Sequence, residues 1–242
     1  MKVRWFLAAI LLLLIFPSNV SGQFGVRLKY DLNQYSNWNN ALRERFSTTE
    51  TLYPSSYGIG INHWFRLKKK RVEFLPEIGY ARSETQFENP SIEKFTINTF
   101  SFNFHTQIYA LDMGEDCDCP TFSKQGNTIN KGLFFHITPG IAYIDAKGFP
   151  NPILSSLPLP NGINRGLAAS IGAGLGLDIG INDLLTITPI ASYYFYSKMT
   201  WDNMVQRTNE VITVDNDLRH TQFSLRFSFR LDYNKRQKRF RR

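Results

Sequence analysis

The chain has 242 residues, enough for one sizeable domain or two small ones, and carries 28 Lys and Arg against 20 Asp and Glu. Its net charge of +8 would ordinarily suggest nucleic acid or another acidic partner. However, Lys2 and Arg4 lie at the start of the chain and six further cations lie in residues 234–242. Residues 23–233 are therefore formally neutral, and we expect no nucleic-acid partner.

The first segment indicates export. Lys2 and Arg4 precede an almost unbroken apolar run from Trp5 to Phe16, which Pro17 ends. This run is too short to span a bilayer comfortably, so it predicts a signal peptide cleaved after Gly22 rather than an uncleaved anchor. The predicted division is a signal peptide at residues 1–22, one domain at 23–233 and a basic tail at 234–242.

Eight segments of the domain alternate apolar and polar residues with the period of two that is typical of a strand. In the first, Phe24 begins an apolar face that ends at Tyr30, while Arg27 and Lys29 lie on the opposite face. The second and third alternate in the same way. The eight segments start at Phe24, Tyr57, Val72, Phe100, Leu133, Leu167, Leu185 and Phe223.

The fourth segment contains one irregularity. Phe100 and Phe102 share a face, but Phe95 and Ile97 have the opposite parity. A single extra residue in a strand reverses which face later side chains occupy, so we expect a β-bulge near Asn98.

The connections alternate in length along the chain. Those at one end are long or moderate and polar: Leu32–Ser55, Ser83–Glu93, Asp145–Arg165 and Lys198–Asp217. At the other end Lys68–Arg71 and Ile181–Asp183 are tight, whereas Asp112–Lys131 is long where a tight turn is expected. Long outer loops and short inner turns are typical of membrane barrels, so the pattern predicts an all-β, eight-stranded antiparallel up-and-down transmembrane β-barrel.

An internal repeat supports this topology. The third, fifth and seventh segments each carry a proline followed four residues later by a tyrosine. These tyrosines fall near the outer ends of their strands, where amphipathic rings are expected at the level of the lipid headgroups. The predicted aromatic girdle is Tyr30, Tyr57, Tyr80, Tyr143 and Tyr193.

The identity of the apolar face distinguishes a membrane barrel from a soluble lipocalin-like barrel. Its many phenylalanines are too bulky for the interior of eight strands, whereas the opposite face is rich in Gly, Ser, Asn and charged residues. We therefore expect the phenylalanines to face lipid and a salt-bridge network, not a constitutive pore, to fill the lumen. A gate or a catalytic cluster is the alternative for that network, which comprises Arg27, Lys29, Glu73, Glu77, Arg226 and Arg230.

Together the leader, the alternating segments, the outer loops and the aromatic last strand resemble the outer-membrane β-barrel domain family. That family includes small barrels similar to the OmpA transmembrane domain, OmpX and PorT-like proteins. The resemblance implies the outer membrane of a Gram-negative bacterium, with outer-membrane lipid and the barrel-assembly machinery as partners. Phe229, Leu231 and Tyr233 look like the family's assembly signal, although a basic tail follows them here.

The two cysteines, Cys117 and Cys119, lie in the long inner connection. In an exported protein they suggest one disulfide that clips this turn. Intermolecular pairing or thiol exchange is the second interpretation, and metal binding with Glu115, Asp116 and Asp118 is the third.

The function predicted from these features is non-enzymatic, without a cofactor or a metal. The long outer loops suit adhesion, contact with a protein partner or assembly into a larger envelope machine. One alternative is a rim enzyme, such as a protease or lipid hydrolase, and another is the soluble lipocalin-like binder. The enzyme would use residues near the outer rim, namely Ser83, Asp202, Asp215, Asp217 and His220.

Overall fold

The computed structural model describes residues 23–46, 51, 54–66, 72–86, 92–109, 132–150, 163–182, 184–207 and 210–230. Its elements are β1 (Gln23–Gln34), α1 (Ser36–Phe46), β2 (Ser55–Arg66), β3 (Val72–Gln86), β4 (Ile92–Ile108), β5 (Leu133–Pro150), β6 (Ile163–Leu177), β7 (Ile179–Gly180), β8 (Leu185–Tyr196), β9 (Met199–Arg207), β10 (Glu210–Asn216) and β11 (Arg219–Arg230). The predicted signal peptide, Cys117 and Cys119, Leu231 and Tyr233, and the basic tail lie outside the described residues.

Eight strands form a closed antiparallel ring. Each strand from β1 to β6 pairs with the next, β6 pairs with β8, β8 with β11, and β11 closes the ring against β1 over its whole length. The two-residue β7 pairs only with β8. The predicted eight-stranded up-and-down barrel is confirmed. Within the described residues, no helix has the length and apolarity needed to cross a membrane.

The outer surface of the barrel is apolar and its interior is polar. Phe100, Phe102 and Phe223 point outward and are about half exposed, while Arg27 and Glu77 are fully buried inside. On β5 the outward apolar residues run from Leu133 to Tyr143, which corresponds to about 23 Å along the membrane normal at a rise of about 3.3 Å per residue and a tilt of about 45°. This height matches the hydrocarbon core, and the orientation contradicts the soluble lipocalin-like alternative.

Large interior side chains lie over glycines of the neighbouring strand. A Cβ atom on Gly60 would lie 2.7 Å from Cδ of Glu77, and one on Gly172 would clash with the ring of Tyr194. Glycine is thus needed at these positions because the narrow interior has no room for both a Cβ atom and the facing side chain.

The predicted bulge near Asn98 is wrong. The β3–β4 register runs unbroken from Val72 opposite Ile108 to Gln86 opposite Lys94, and the irregularity in β4 lies between Ile92 and Lys94, against β5. Phe95 and Ile97 keep strict alternation and point inward, where both are buried. These two apolar residues have a parity opposite to that of Phe100 and Phe102 because the inner face of the barrel becomes apolar beyond the membrane. There Ile97 is the cross-strand partner of the buried Ala146.

All four predicted outer connections contain regular structure. β3 to β6 extend beyond the membrane, so Ser83 is a strand residue of β3, and Asp145 and Arg165 face each other across β5 and β6. The connection after Leu32 contains α1, and the connection after Lys198 contains the β9–β10 hairpin. We refer to α1 and this hairpin together as the cap. Trp38 of α1 is fully buried and stacks on Tyr35 with ring centroids 5.4 Å apart, so it is a core residue of the cap rather than a surface contact.

Replacing Gly172 with alanine should destabilise the barrel by about 1–3 kcal/mol, because the new methyl group must displace the buried Tyr194 ring. Urea unfolding of the refolded protein in lipid vesicles measures this change. Gly166→Ala is the matched control on the same strand, since its Cβ would meet only Cε of Met199 at an ordinary 3.5 Å. Equal stability of the two variants would contradict the close packing over Gly172.

Candidate functional site: the sealed lumen and its cap

One buried carboxylate lies between two cations in the middle of the lumen. Oε2 of Glu77 lies 3.0 Å from Nε of Arg27, and its Oε1 lies 2.6 Å from Nζ of Lys29. These three side chains are almost completely removed from solvent, at 0–5% exposure. A buried charge is tolerated only when it is paired, so the three groups depend on one another.

His105 extends this layer across the lumen. Its Nε2 lies 3.1 Å from a terminal nitrogen of Arg27, and its Nδ1 lies 2.8 Å from the hydroxyl of Thr138. Because a guanidinium can only donate, Nε2 must accept, which fits the neutral tautomer with the proton on Nδ1. The neighbouring His136 stacks on His105 at 5.8 Å and contacts Ser192 at 2.9 Å.

A second ionic layer lies closer to the inner end of the barrel. Arg226 donates to Asp178 at 3.0 Å, and both side chains are buried. The hydroxyl of Tyr109 lies 2.5 Å from Asp178 and 2.8 Å from Glu73, so its single proton serves one carboxylate at a time. The indole of Trp64 also donates to Glu73. Beside this layer Tyr109, Phe134 and Ile190 form a small buried apolar cluster.

Above the ionic layers the lumen contains a small polar cavity under the cap. Asp31 accepts hydrogen bonds from Ser56 at 2.9 Å and from Gln222 at 2.8 Å in its wall. The cavity measures about 40 Å³, which holds only a few water molecules. Within the part of the chain that the structure describes, the interior is therefore filled rather than open.

The structure brings together most, but not all, of the predicted lumen residues. Arg27, Lys29 and Glu77 form one contact group, whereas Glu73 and Arg226 belong to the second layer, and the side chain of Arg230 lies outside the described residues. Asp178, the partner of Arg226, was not among the predicted lumen residues. Its inward parity was a usable signal, but the pairing depends on two strands that are distant in sequence.

The predicted tyrosines lie on the outer surface. Tyr30 and Tyr57 are cross-strand partners with ring centroids 5.2 Å apart, and Tyr80 packs against Phe100 at 5.0 Å. Tyr143 on β5 is the cross-strand partner of Phe100 on β4. The remaining predicted residues on this surface are Tyr193, which packs against Phe195 at 4.8 Å, and Phe229, which points outward.

The described side chains among the residues proposed for a rim enzyme make no contacts typical of a catalytic site. The hydroxyl of Ser83 donates to the backbone carbonyl of Ser55, whereas His220 lies 3.9 Å from Asp31 and against the rings of Tyr194 and Tyr196. Asp215 accepts from Thr200 at 2.6 Å, Asp217 is exposed, and the side chain of Asp202 is not described. Covalent catalysis needs a nucleophile in contact with a base, which these contacts do not supply. Among the described residues, no group of three His, Cys, Asp or Glu could hold a metal ion.

No protein-family model matches the chain. No curated protein matches it either. Several solved structures are similar in fold. OprG from Pseudomonas aeruginosa shares 10% identity at a TM-score of 0.47, over 87% of this chain and 96% of that chain. Ail from Yersinia pestis shares 11% identity at a TM-score of 0.44, over 86% of this chain and 99% of that chain. Neisserial surface protein A shares 9% identity at a TM-score of 0.42, over 87% of this chain and 97% of that chain. These outer-membrane barrels are too distant to indicate a shared role.

Replacing Glu77 with glutamine should cost about 3–5 kcal/mol of unfolding free energy, because it leaves Arg27 and Lys29 buried without a compensating charge. Urea titration of the folded barrel in vesicles measures the loss. Glu84→Gln is the control, since Glu84 is exposed and its ion pairs should contribute little to stability. A change of less than about 1 kcal/mol at Glu77 would show that the lumen is hydrated and not sealed.

Proposed function

We propose that this chain is a non-enzymatic outer-membrane barrel that presents its cap to another envelope or extracellular protein. In this proposal the leader is cleaved on export from the cytoplasm of a Gram-negative bacterium. The barrel-assembly machinery then inserts the domain through its last strand, with Phe229, Leu231 and Tyr233 as the signal. The barrel itself is a rigid holder, in the manner of small OmpA- or OmpX-like barrels, and not a porin.

The observation that carries this proposal is the filled lumen. Two ionic layers, centred on Glu77 and Asp178, cross the interior, and a small buried apolar cluster lies beside the second. A path for solutes would require several buried ion pairs to break at once, which is costly in a low-dielectric interior. A barrel that does not conduct must act through its surfaces.

The cap is the most elaborate of those surfaces. Nδ2 of Asn37 in α1 donates to the backbone carbonyl of Asp215 in β10 at 2.8 Å, and Nδ2 of Asn164 in β6 donates to that of Thr200 in β9 at 2.8 Å. These bonds and the buried Trp38 fix the helix and the hairpin to the barrel. A preorganised surface loses little conformational entropy on binding, which favours a role in protein contact.

The purified barrel should be silent in planar lipid bilayers. The Trp38→Ala variant should also be silent, because the lumen and not the cap blocks the path. Heat-modifiable migration in detergent gels verifies that each sample is folded. Discrete conductance steps from the folded wild-type protein would contradict the sealed-lumen proposal.

A photo-crosslinking residue placed at Asn40 on the exposed side of α1 should yield a specific cross-linked protein in intact cells. The matched control position is Ile181, which is exposed at the tight turn on the opposite end of the barrel. The absence of a cross-linked product at Asn40 would contradict a partner at the cap. The same products at both positions would also contradict it.

A further inference from the structure

Four strands on one side of the barrel continue outward beyond the apolar belt. β3 and β4 reach Gln86 and Ile92, and β5 and β6 reach Pro150 and Ile163. We refer to this part of the barrel as the β3–β6 wall. Its outermost apolar residues are Tyr80, Phe100, Tyr143 and Leu167, which are cross-strand neighbours in one continuous register.

The outer face of this wall carries two adjacent charged clusters directly beyond those apolar residues. In the first, Glu84 accepts from Arg82 at 3.2 Å and also contacts Lys94. In the second, Asp145 lies 2.9 Å from Arg165 and 3.0 Å from Lys147. Each cluster combines one carboxylate with two cations. We call these two groups the rim clusters.

Each rim cluster keeps a net positive charge. The pKa of Glu84 is lowered chiefly by the hydrogen bond from Lys94. The positive charge of Lys94 and the contact with Arg82 lower it further. Partial burial acts to raise the pKa of Asp145, but hydrogen bonds from Arg165 and Lys147 outweigh it and the net pKa is lowered. Both carboxylates are therefore ionised at neutral pH, and one cation in each cluster remains uncompensated.

The uncompensated cations retain hydrogen-bond donors that face outward. The side chains of Arg82 and Arg165 are 53% and 56% exposed, and each uses only part of its five-donor guanidinium on its carboxylate. A guanidinium fork matches the oxygens of a phosphate group. Asn98, the register partner of both Arg82 and Asp145, adds an amide between the two clusters.

The height of the clusters coincides with the lipid headgroups. Arg82 and Asp145 lie two residues beyond Tyr80 and Tyr143 on the same strands, about 5 Å further along the membrane normal at a tilt of about 45°. Glu84 and Lys147 lie four residues beyond, or about 9 Å. The polar region of one leaflet occupies about 5–8 Å outside the hydrocarbon core, so most of these groups lie at or just above it.

Among the described strands, both charged clusters lie on one side of the barrel. On β1, β2, β8 and β11 the described strand residues that face outward beyond the apolar belt include one charged side chain, Arg219. Its Cζ lies 5.8 Å from the ring centroid of Phe195. Exposed ion pairs contribute little to stability, so folding alone does not explain four cations on one wall.

We propose that the rim clusters bind the phosphate groups of anionic lipids in the outer leaflet, so that the β3–β6 wall recruits such lipids selectively. The apolar residues below hold the acyl chains, and the clusters above hold the headgroup. The carboxylates offset part of the charge of the cations, which keeps the contact exchangeable.

The test measures lipid selectivity by electron spin resonance, with spin-labelled phosphatidic acid or phosphatidylcholine added to the folded full-length barrel in phosphatidylcholine bilayers. The wild-type protein should prefer phosphatidic acid. The double variant Arg82→Gln/Arg165→Gln neutralises both clusters and should reduce that preference by about fivefold for each cation lost. Added salt should weaken the wild-type preference.

The matched control is Arg219→Gln, which removes one exposed cation from the same membrane face but outside the rim clusters, and should reduce the preference less than the loss of one cluster arginine does. The variant Glu84→Gln/Asp145→Asn tests the direction of the electrostatic effect, since removing competing negative charge should raise the preference for phosphatidic acid. A fall in that variant would show that the cations serve only their ion pairs and would overturn the proposal.

Two further outcomes would also overturn it. One is an unchanged preference in Arg82→Gln/Arg165→Gln after heat-modifiable migration has shown the variant to be folded. The other is complete competition by inorganic phosphate at an ionic strength matched with chloride, which would identify free phosphate rather than lipid as the ligand. Failure of the cap proposal would leave this test unaffected, because the clusters and the cap are assayed separately.

Discussion

Closure of the strands into one hydrogen-bonded ring is the constraint on which the rest of this molecule depends. β11 completes the ring by pairing with both β1 and β8, so the sheet formed by the described strands has no open end. Closure with eight strands also fixes a narrow interior. Glu77 and Lys29 can occupy it only because Gly60 and Gly79, respectively, leave room for their side chains. The ionic layers and the interior glycines are thus two consequences of the same closure.

A sealed interior moves any activity to the ends and the outer surface. The inner face changes character along the strands, from ion pairs around Glu77 to apolar packing around Ile97 beyond the membrane. This change allows the cap to be held by buried apolar side chains such as Trp38, while the membrane-spanning part is held by charge pairs. The cap and the barrel are consequently stabilised by different forces, although they share the same strands.

The alternation of residues was sufficient to predict the strands and their lipid-facing side, because lipid and lumen impose opposite demands on adjacent residues. It failed at Phe95 and Ile97, since the prediction assumed a polar interior along the whole strand and therefore required a bulge. It gave no prediction for α1 and its buried Trp38, because a polar, asparagine-rich segment gives no sign that it forms a helix over a barrel mouth. The pairing of Arg226 with Asp178 needs the barrel register, which local periodicity does not specify.

The β3–β6 wall joins the two proposed surfaces through a common backbone. On this wall Asp145 and Lys147 point outward toward the headgroups, while the intervening Ala146 points inward and is buried. Alternation places these roles on successive residues, so a shift of one residue would exchange charge for apolar packing on both faces. Lipid contact on the outside and cap packing on the inside therefore depend on the same register. Because the rim clusters occur on one wall only, selective lipid binding there would also fix how the cap faces the surrounding membrane.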